Sequence, residues 1–221
     1  VTVLRVLLRD AVTAPFWQAV GASLLRILCG YAAAVVGGCV LAILTVRFSL
    51  LHHLFSPLLH CIKAAPVASF IILALVWIPT GILPACICAL MVLPIVWSNV
   101  EQGIRQIDRR LLEMAQVFRI GRLKTLLRVK IPAVMPYLLT ALTTGLGFAW
   151  KSGIAAEVIC QPKPAIGKQL YLAKIYLETP EVFAWTAVVI LLSVLLEFTL
   201  KKWLFAAGKR AGLLQEKRDA A

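Results

Sequence analysis

Four long stretches of this chain contain almost no charge. Residues 27–46, 64–100 and 131–150 hold no Asp, Glu, Lys or Arg, and residues 182–200 hold only Glu197. A helix needs about 20 apolar residues to cross the hydrocarbon core of a bilayer, and in lipid its backbone amides must be satisfied within the segment. Only 15% of the residues are charged, whereas soluble domains carry about a quarter. These stretches predict an all-α, polytopic membrane protein.

The stretch 64–100 is too long for one span and too apolar for a loop. Pro79, Thr80 and Gly81 lie near its middle and indicate a tight turn between two helices. The predicted spans are then 16–46, 64–79, 82–100, 133–160 and 182–203.

The distribution of basic residues predicts the orientation. Short loops rich in Lys and Arg stay in the cytoplasm. Segment 101–132 holds eight basic and three acidic residues, and the tail from Lys201 holds six and two. Segment 47–63 holds Arg47 and Lys63, whereas the opposite loop 161–181 holds three lysines. We therefore expect an inner-membrane protein with a cytoplasmic C-terminus, whose net charge of +13 faces anionic headgroups rather than nucleic acid.

This topology divides the chain into three parts. Residues 1–15 are expected outside the cytoplasm, residues 16–205 in a membrane domain, and residues 206–221 in a basic cytoplasmic tail. An odd number of spans places Val1 outside, and the first residues do not resemble a signal sequence. We therefore expect a further span ahead of Val1.

The cysteines and histidines indicate no metal site. The six cysteines form no CxxC pair and lack a zinc-like spacing with histidine. His52, His53 and His60 lie in the short segment 47–63 without acidic partners nearby in sequence, so we expect them to be solvated or at headgroup level. The chain contains neither a GxxxxGK[ST] phosphate loop nor a nucleophile–base pattern. No cofactor and no enzymatic activity are therefore expected.

Segment 101–132 has the pattern of a short amphipathic helix. Leu111, Leu112, Ala115 and Phe118 recur at helical spacing between charged residues. The helix is expected to break near Gly121, and helical structure to stop before the later proline. Periodicity alone fits a basic helix resting on the membrane as well as a partner-binding helix.

The same segment resembles the EAA loop of binding-protein-dependent ABC permeases. Glu113-Met114-Ala115 is followed seventeen residues later by Pro132, with Val129 where that signature has isoleucine. The family has alanine at position 114 and glycine at position 119, where this chain has Met and Arg. The resemblance implies a loop that couples the chain to an ATPase through Glu113, Ala115, Phe118, Arg119, Gly121 and Pro132.

The resemblance covers about residues 16–205. GLGFAWKSGIAAEVI and the later ETPEVFAW resemble the permeases for nitrate, sulfonates and taurine. This family implies a type I ABC importer transmembrane domain of six helices, five of them visible here. It also implies a dimer with a second permease subunit, an ABC ATPase subunit that binds the ATP, and an extracytoplasmic solute-binding protein.

Two charges lie inside the span 133–160. Ionisable groups at membrane depth usually face a cavity or a partner, so Lys151 and Glu157, with Ser152 beside them, are candidates for the translocation pathway. Alternatively, Lys151 snorkels and Glu157 lies near the outer interface.

Two other function classes stay open at this point. A secondary transporter or channel would need no ATPase, and a membrane scaffold would transport nothing. An anionic sulfonate or nitrate and a neutral or cationic vitamin-precursor-like molecule are both possible substrates, because the two charges bias the pathway in opposite directions.

Overall fold

The structure, a computed structural model, describes residues 2–210. Over that range the chain forms ten α-helices and one short π-helical segment, with no strand, which confirms the all-α prediction. The helices are α1 Thr2–Ala11, α2 Ala14–Arg47, α3 Ser49–Ala64, α4 Val67–Ala74, α5 Leu83–Arg105, α6 Arg109–Val117, α7 Arg122–Thr125, α8 Ile131–Cys160, α9 Ile166–Ile175 and α10 Thr179–Arg210. The π-helical segment Leu126–Lys130 lies between α7 and α8.

Helices α2, α5 and α8 pack together as the centre of the fold. The close contact between α2 and α5 depends on two glycines of α2, which have no side chain. A Cβ added at Gly30 would lie 2.2 Å from the carbonyl oxygen of Ala85, and one at Gly38 would lie 2.8 Å from Cβ of Val96. Small residues on one face of a helix let two backbones approach closely inside a membrane. Gly30 and Gly38 therefore set the spacing between these helices.

Within residues 2–210, four helical stretches are long and apolar enough to cross a membrane. They are α2, α5, the continuous helix from Arg122 to Cys160, and the part of α10 up to Leu204. Helices α3 and α4 would together make a fifth span, but they meet at an angle of 105°. The prediction of a polytopic membrane protein is confirmed.

The bounds predicted for the second span, 64–79, are wrong. Helix α3 fills the segment predicted as a loop, and α4 is only eight residues long. The reason is Pro66, which disfavours helical backbone at the preceding residue. Ala65 accordingly has extended φ and ψ of −76° and 141°. Eight residues rise roughly 12 Å, less than half of the hydrocarbon core, so α4 cannot cross it alone.

The sequence analysis predicted that helical structure stops before Pro132, and this prediction is wrong. The helix runs from α7 through the π-helical segment into α8 without a break. Proline lacks an N–H and its ring clashes with the carbonyl one turn earlier. The π-helical turn, in which the amide of Ile131 bonds to the carbonyl of Leu126, lies directly before Pro132 and takes up that conflict.

The two ends of the bundle can be told apart by their residues. At one end, Arg9 of α1 donates a hydrogen bond of 3.0 Å to Glu181 at the start of α10. At the other end, Arg47, Ile104 and Lys130 line one cavity. Residues 206–210 continue α10, and the rest of the predicted tail lies outside the described residues.

Candidate functional site

Helix α6 begins at a side-chain cap. The Asp108 carboxylate accepts a hydrogen bond of 2.9 Å from the amide of Arg110, and so satisfies one of the free donors at the helix start. The sequence analysis did not single out Asp108, although an aspartate just before an amphipathic pattern is a start signal. The predicted amphipathic helix is present over Arg109–Val117.

The end of α6 explains why the EAA signature has glycine at position 119. The amide of Arg119 bonds to the carbonyl of Gln116 at 3.0 Å, and that of Ile120 bonds to the carbonyl of Ala115 at 2.8 Å. These two bonds form a Schellman cap, whose turning residue adopts the left-handed conformation. Arg119 has φ of 50°, so a non-glycine residue holds this conformation. Gly121 has φ of −57°, which any residue adopts.

The predicted coupling residues differ in their exposure. Ala115 is only 2% exposed, whereas Phe118 is 73% exposed and Glu113 is exposed as well. Ala115 lines a cavity of about 390 Å³ inside the loop, together with Ile120. Ala115 and Phe118 are three residues apart and therefore neighbours on the helix, but the chain folds back at Arg119 and covers Ala115.

The outward face of α6 is nevertheless apolar. Large exposed side chains follow one another there: Leu111, Met114, Val117 and Phe118. Basic residues precede and follow this strip in the chain, among them Arg109, Arg110, Arg119 and Arg122. An exposed apolar patch with a polar rim is typical of a protein-binding surface.

The structure does not bring the three predicted pathway residues together. Lys151 is exposed, Ser152 is buried, and Glu157 is 0% exposed. The Ser152 hydroxyl donates to the carbonyl of Phe148 in its own helix at 2.8 Å. Only Lys151 is open to the surroundings of α8.

Glu157 is held by partners from this chain on all sides. The Ser23 hydroxyl donates to its Oε2 at 2.6 Å, and the amide of Gly167 donates to the same oxygen at 3.2 Å. Arg26 lies 3.4 Å from Oε1. The Ser23 oxygen also accepts from the amide of Ile166 at 2.9 Å. The carboxylate therefore joins α2 and α8 to the start of α9.

Sequence reasoning singled out neither Ser23 nor Arg26. A signal was present, because Arg26 is the one charge in the predicted span 16–46. A charge at that depth requires a partner, and a buried carboxylate on another span is the natural one.

A polar groove lies between α3 and α5, near the end of the bundle that carries α6. Glu101 accepts from Arg105 at 2.8 Å and lies 2.9 Å from Nδ1 of His52. Lys63 donates to the Ser98 hydroxyl at 3.0 Å. The expectation that the histidines lack an acidic partner is therefore wrong for His52, since α3 packs across α5. The groove encloses about 490 Å³ and is lined by His52, Ser56, His60, Lys63, Trp97, Ser98, Glu101, Gln102, Arg105 and Gln106.

Trp97 connects the groove to the core. Its indole N–H donates to the Thr45 hydroxyl at 2.9 Å, and its ring is 3% exposed. The ring centroids of His52 and His60 lie 6.1 and 6.4 Å from it. His53, by contrast, is exposed as expected.

Comparison with known protein families gives a match. The family described as "binding-protein-dependent transport system inner membrane component" matches residues 34–206, which is most of the chain.

Curated relatives agree with this match. The bicarbonate transport system permease protein CmpB of Synechococcus elongatus is 30% identical over 161 residues, covering 69% of this chain and 55% of the relative. The nitrate import permease protein NrtB of Leptolyngbya laminosa is 29% identical over 65% of this chain and 52% of the relative. The taurine transport system permease protein TauC of Escherichia coli is 27% identical over 85% of this chain and 68% of the relative. The chain thus spans about half the length of the first two relatives.

Solved structures show the same fold. An amino acid ABC transporter aligns with a TM-score of 0.66 at 18% identity, over 85% of this chain and 90% of that one. The MetNI methionine ABC transporter aligns with a TM-score of 0.65 at 14% identity, over 86% of this chain and 93% of that one. The predicted resemblance is confirmed. The chain belongs to the family of inner membrane components of binding-protein-dependent transport systems.

Proposed function

We propose that this chain is the permease subunit of an ATP-driven importer. The observation that carries the proposal is the family match over residues 34–206, which includes helix α6 with its exposed apolar strip. A solute-binding protein outside, an ABC ATPase inside and a second copy of the permease complete the transporter. The ATPase binds and hydrolyses ATP, so the work of this chain is conformational.

The end of the bundle that carries α6 faces the cytoplasm in this proposal. Arg47, Arg105 and Lys130 end three helices on that side, in agreement with the positive-inside rule. The C-terminus then lies in the cytoplasm with the tail 206–221, and residues 1–15 lie outside. Residues 16–205 form the permease domain.

The coupling surface is the outward face of α6, with Glu113 and Phe118 in contact with the ATPase. Ala115 and Arg119 do not contact the ATPase but shape the loop. Ala115 is buried inside the loop, and Arg119 forms its turn. Gly121 directly precedes α7, and Pro132 lies beside the π-helical turn. Movement of α6 thereby reaches α8 through a continuous helix.

The polar groove between α3 and α5 is our candidate for the cytoplasmic part of the pathway. Polar side chains inside membrane helices usually face a water-filled cavity or a partner. Lys151 stays a candidate for a part of the pathway farther from the cytoplasm, with Ser152 beside it. Glu157 instead holds helices of this chain together, because its carboxylate already accepts hydrogen bonds from Ser23 and Gly167.

A small anionic solute is the substrate class that we propose. The names of three relatives mention bicarbonate, nitrate and taurine, each of which carries an acidic group. Lys63 and Arg105 supply positive charge in the groove. The vitamin-precursor-like alternative would require a different charge balance there.

Reconstitution tests the proposed function. The chain, its ATPase and its binding protein are placed in liposomes, and uptake of labelled bicarbonate, nitrate and taurine is measured with and without internal ATP. Uptake that requires ATP and the binding protein supports the importer. Accumulation driven by an ion gradient without ATP would identify a secondary transporter, and no uptake of any solute would support a scaffold.

A further inference from the structure

An apolar cavity opens where three helices end on the side of α6. It encloses about 480 Å³ and is formed by the last turns of α2 and α5 and the first turns of α8. Its lining comprises Cys39, Ile43, Val46, Arg47, Val100, Ile104, Ile107, Leu126, Lys130, Ile131, Val134 and Leu138. Ligand pockets typically measure roughly 300–1,000 Å³ and combine an apolar lining with a few polar groups that fix orientation. This cavity has that composition.

Two charged residues belong to the lining. Arg47 is the last residue of α2, and Lys130 is the last residue of the π-helical segment before α8. The apolar lining extends from them to Cys39 on α2 and to Leu138 on α8. Eight residues of helix separate each cation from the deepest lining residue, a depth of roughly 12 Å. The cavity is therefore an apolar slot with two cationic residues in its lining.

We propose that this slot binds one acyl chain of an anionic phospholipid, with the headgroup phosphate between Arg47 and Lys130. Basic pockets between membrane helices on the cytoplasmic side are suited to acidic headgroups, and each Lys or Arg near the surface contributes about 1 kcal/mol to such attraction. The apolar walls select a lipid over a free anion, because a soluble anion would leave them facing water. Charge and depth thus point to the same occupant.

The site has a consequence for the neighbouring loop. Lys130 lines both this slot and the smaller cavity that contains Ala115. A phosphate bound to Lys130 would hold the π-helical segment that connects α6 and α7 to α8. Lipid binding at this position would therefore restrain the element between the coupling loop and the membrane helices.

Native mass spectrometry of the purified chain tests the proposal. The protein is equilibrated in detergent with equimolar phosphatidylglycerol and phosphatidylcholine of the same chain length. We expect one phosphatidylglycerol to be retained in preference. Arg47→Gln and Lys130→Gln should each lower its retention about fivefold. Ile43→Trp, which fills the slot at a residue already 58% exposed, should lower retention of both lipids.

Lys124→Gln is the matched control, because Lys124 is an exposed basic residue of α7 outside the slot lining. An equal loss in this control would show a diffuse basic surface and overturn the proposal. Equal retention of the two lipids by the unaltered chain would also overturn it. Glycerol phosphate is added as a competitor; displacement of the lipid at equal concentration would show a free-anion site instead. No displacement supports the lipid.

Discussion

Ser23 of α2 donates a hydrogen bond of 2.6 Å to Glu157 of α8, a residue 134 positions later in the chain. Both side chains are 0% exposed. An ionised group buried in protein is tolerated only when hydrogen bonds and an opposite charge compensate the lost hydration. Ser23, Gly167 and Arg26 supply that compensation here. The relationship turns the charge of α8 into a link between helices.

Removing the Ser23 hydroxyl should destabilise the fold. Ser23→Ala leaves one Glu157 oxygen and the amide of Ile166 without their shared partner. A buried unsatisfied group costs about 1–3 kcal/mol. The measurement is size-exclusion chromatography of the purified chain after heating. We expect Ser23→Ala to lose its monodisperse peak at a lower temperature than the unaltered chain.

Thr199→Ala is the control for this prediction. The Thr199 hydroxyl is exposed and bonds only to carbonyls of its own helix. It should therefore change the temperature little. If both variants behave alike, the Glu157 network does not stabilise the fold.

A methyl group at Gly167 should separate α9 from α8. An added Cβ would lie 2.4 Å from Cβ of Glu157 and 2.5 Å from the amide nitrogen of Val158. The second contact is with backbone, so no side-chain rotation relieves it. We expect Gly167→Ala to lower the free energy of unfolding by more than about 1 kcal/mol, since overpacking typically costs about 1–3 kcal/mol. The variant should therefore lose its monodisperse peak in size-exclusion chromatography at a lower temperature than the unaltered chain.

Gly147→Ala gives the opposite expectation in the same assay. Nothing lies within 4 Å of a Cβ at Gly147, which is in the middle of α8. Alanine in a helix interior is more favourable than glycine by roughly 0.5–1 kcal/mol. A similar loss in both variants would show a general intolerance of α8 and its surroundings rather than a contact at Gly167.

How far the sequence predicts this fold depends on the range of the interactions. Uncharged stretches report local hydrophobicity, so four of the predicted spans appear as α2, α5, α8 and α10. The remaining one depends on the backbone at Ala65-Pro66, where α3 and α4 turn through 105°. A window average over residues 64–79 does not detect such a turn.

The candidate site was predictable only in part. The pattern over 109–117 predicts helix α6 because amphipathic spacing is local. The burial of Ala115 was not predictable, since it depends on the Schellman turn at Arg119. The groove around Glu101 was not predictable either, because His52 approaches from α3, a helix in the segment that we predicted to be a loop. Contacts between distant segments thus account for the differences.

Glycine at position 119 should stabilise the loop after α6. Arg119 adopts φ of 50°, and the left-handed region costs an L-residue with a Cβ about 1 kcal/mol. Arg119→Gly removes that cost and should slow hydrogen exchange of the Ile120 amide about fivefold. Arg119→Val should accelerate it, because a β-branched residue is poorly accommodated in that region.

Gly121→Ala is the control for the loop. Gly121 has ordinary φ, and nothing lies within 4 Å of an added Cβ. Its replacement should leave the exchange of Ile120 nearly unchanged. Equal exchange in Arg119→Gly and the unaltered chain would mean that the turn carries no strain.

The exposed ring of Phe118 should decide association with the ATPase. Phe118 is 73% exposed and follows the last residue of α6, so its removal leaves no cavity in the chain. Aromatic residues at the centre of an interface commonly contribute 2 kcal/mol or more, roughly thirtyfold in affinity. We expect Phe118→Ala to reduce pull-down of the co-expressed ATPase and ATP-dependent uptake together.

Two further variants separate contact from loop structure. Phe183→Ala removes another exposed ring, 59% accessible, at the start of α10 on the opposite end of the bundle, and should retain full association. Ala115→Trp should also weaken association, but by displacing the loop, because Ala115 is buried in it. Its Ile120 amide should then exchange faster, whereas that of Phe118→Ala should not. Full association and uptake in Phe118→Ala would show that the apolar face of α6 is not the coupling surface, and that this basic helix rests on the membrane instead.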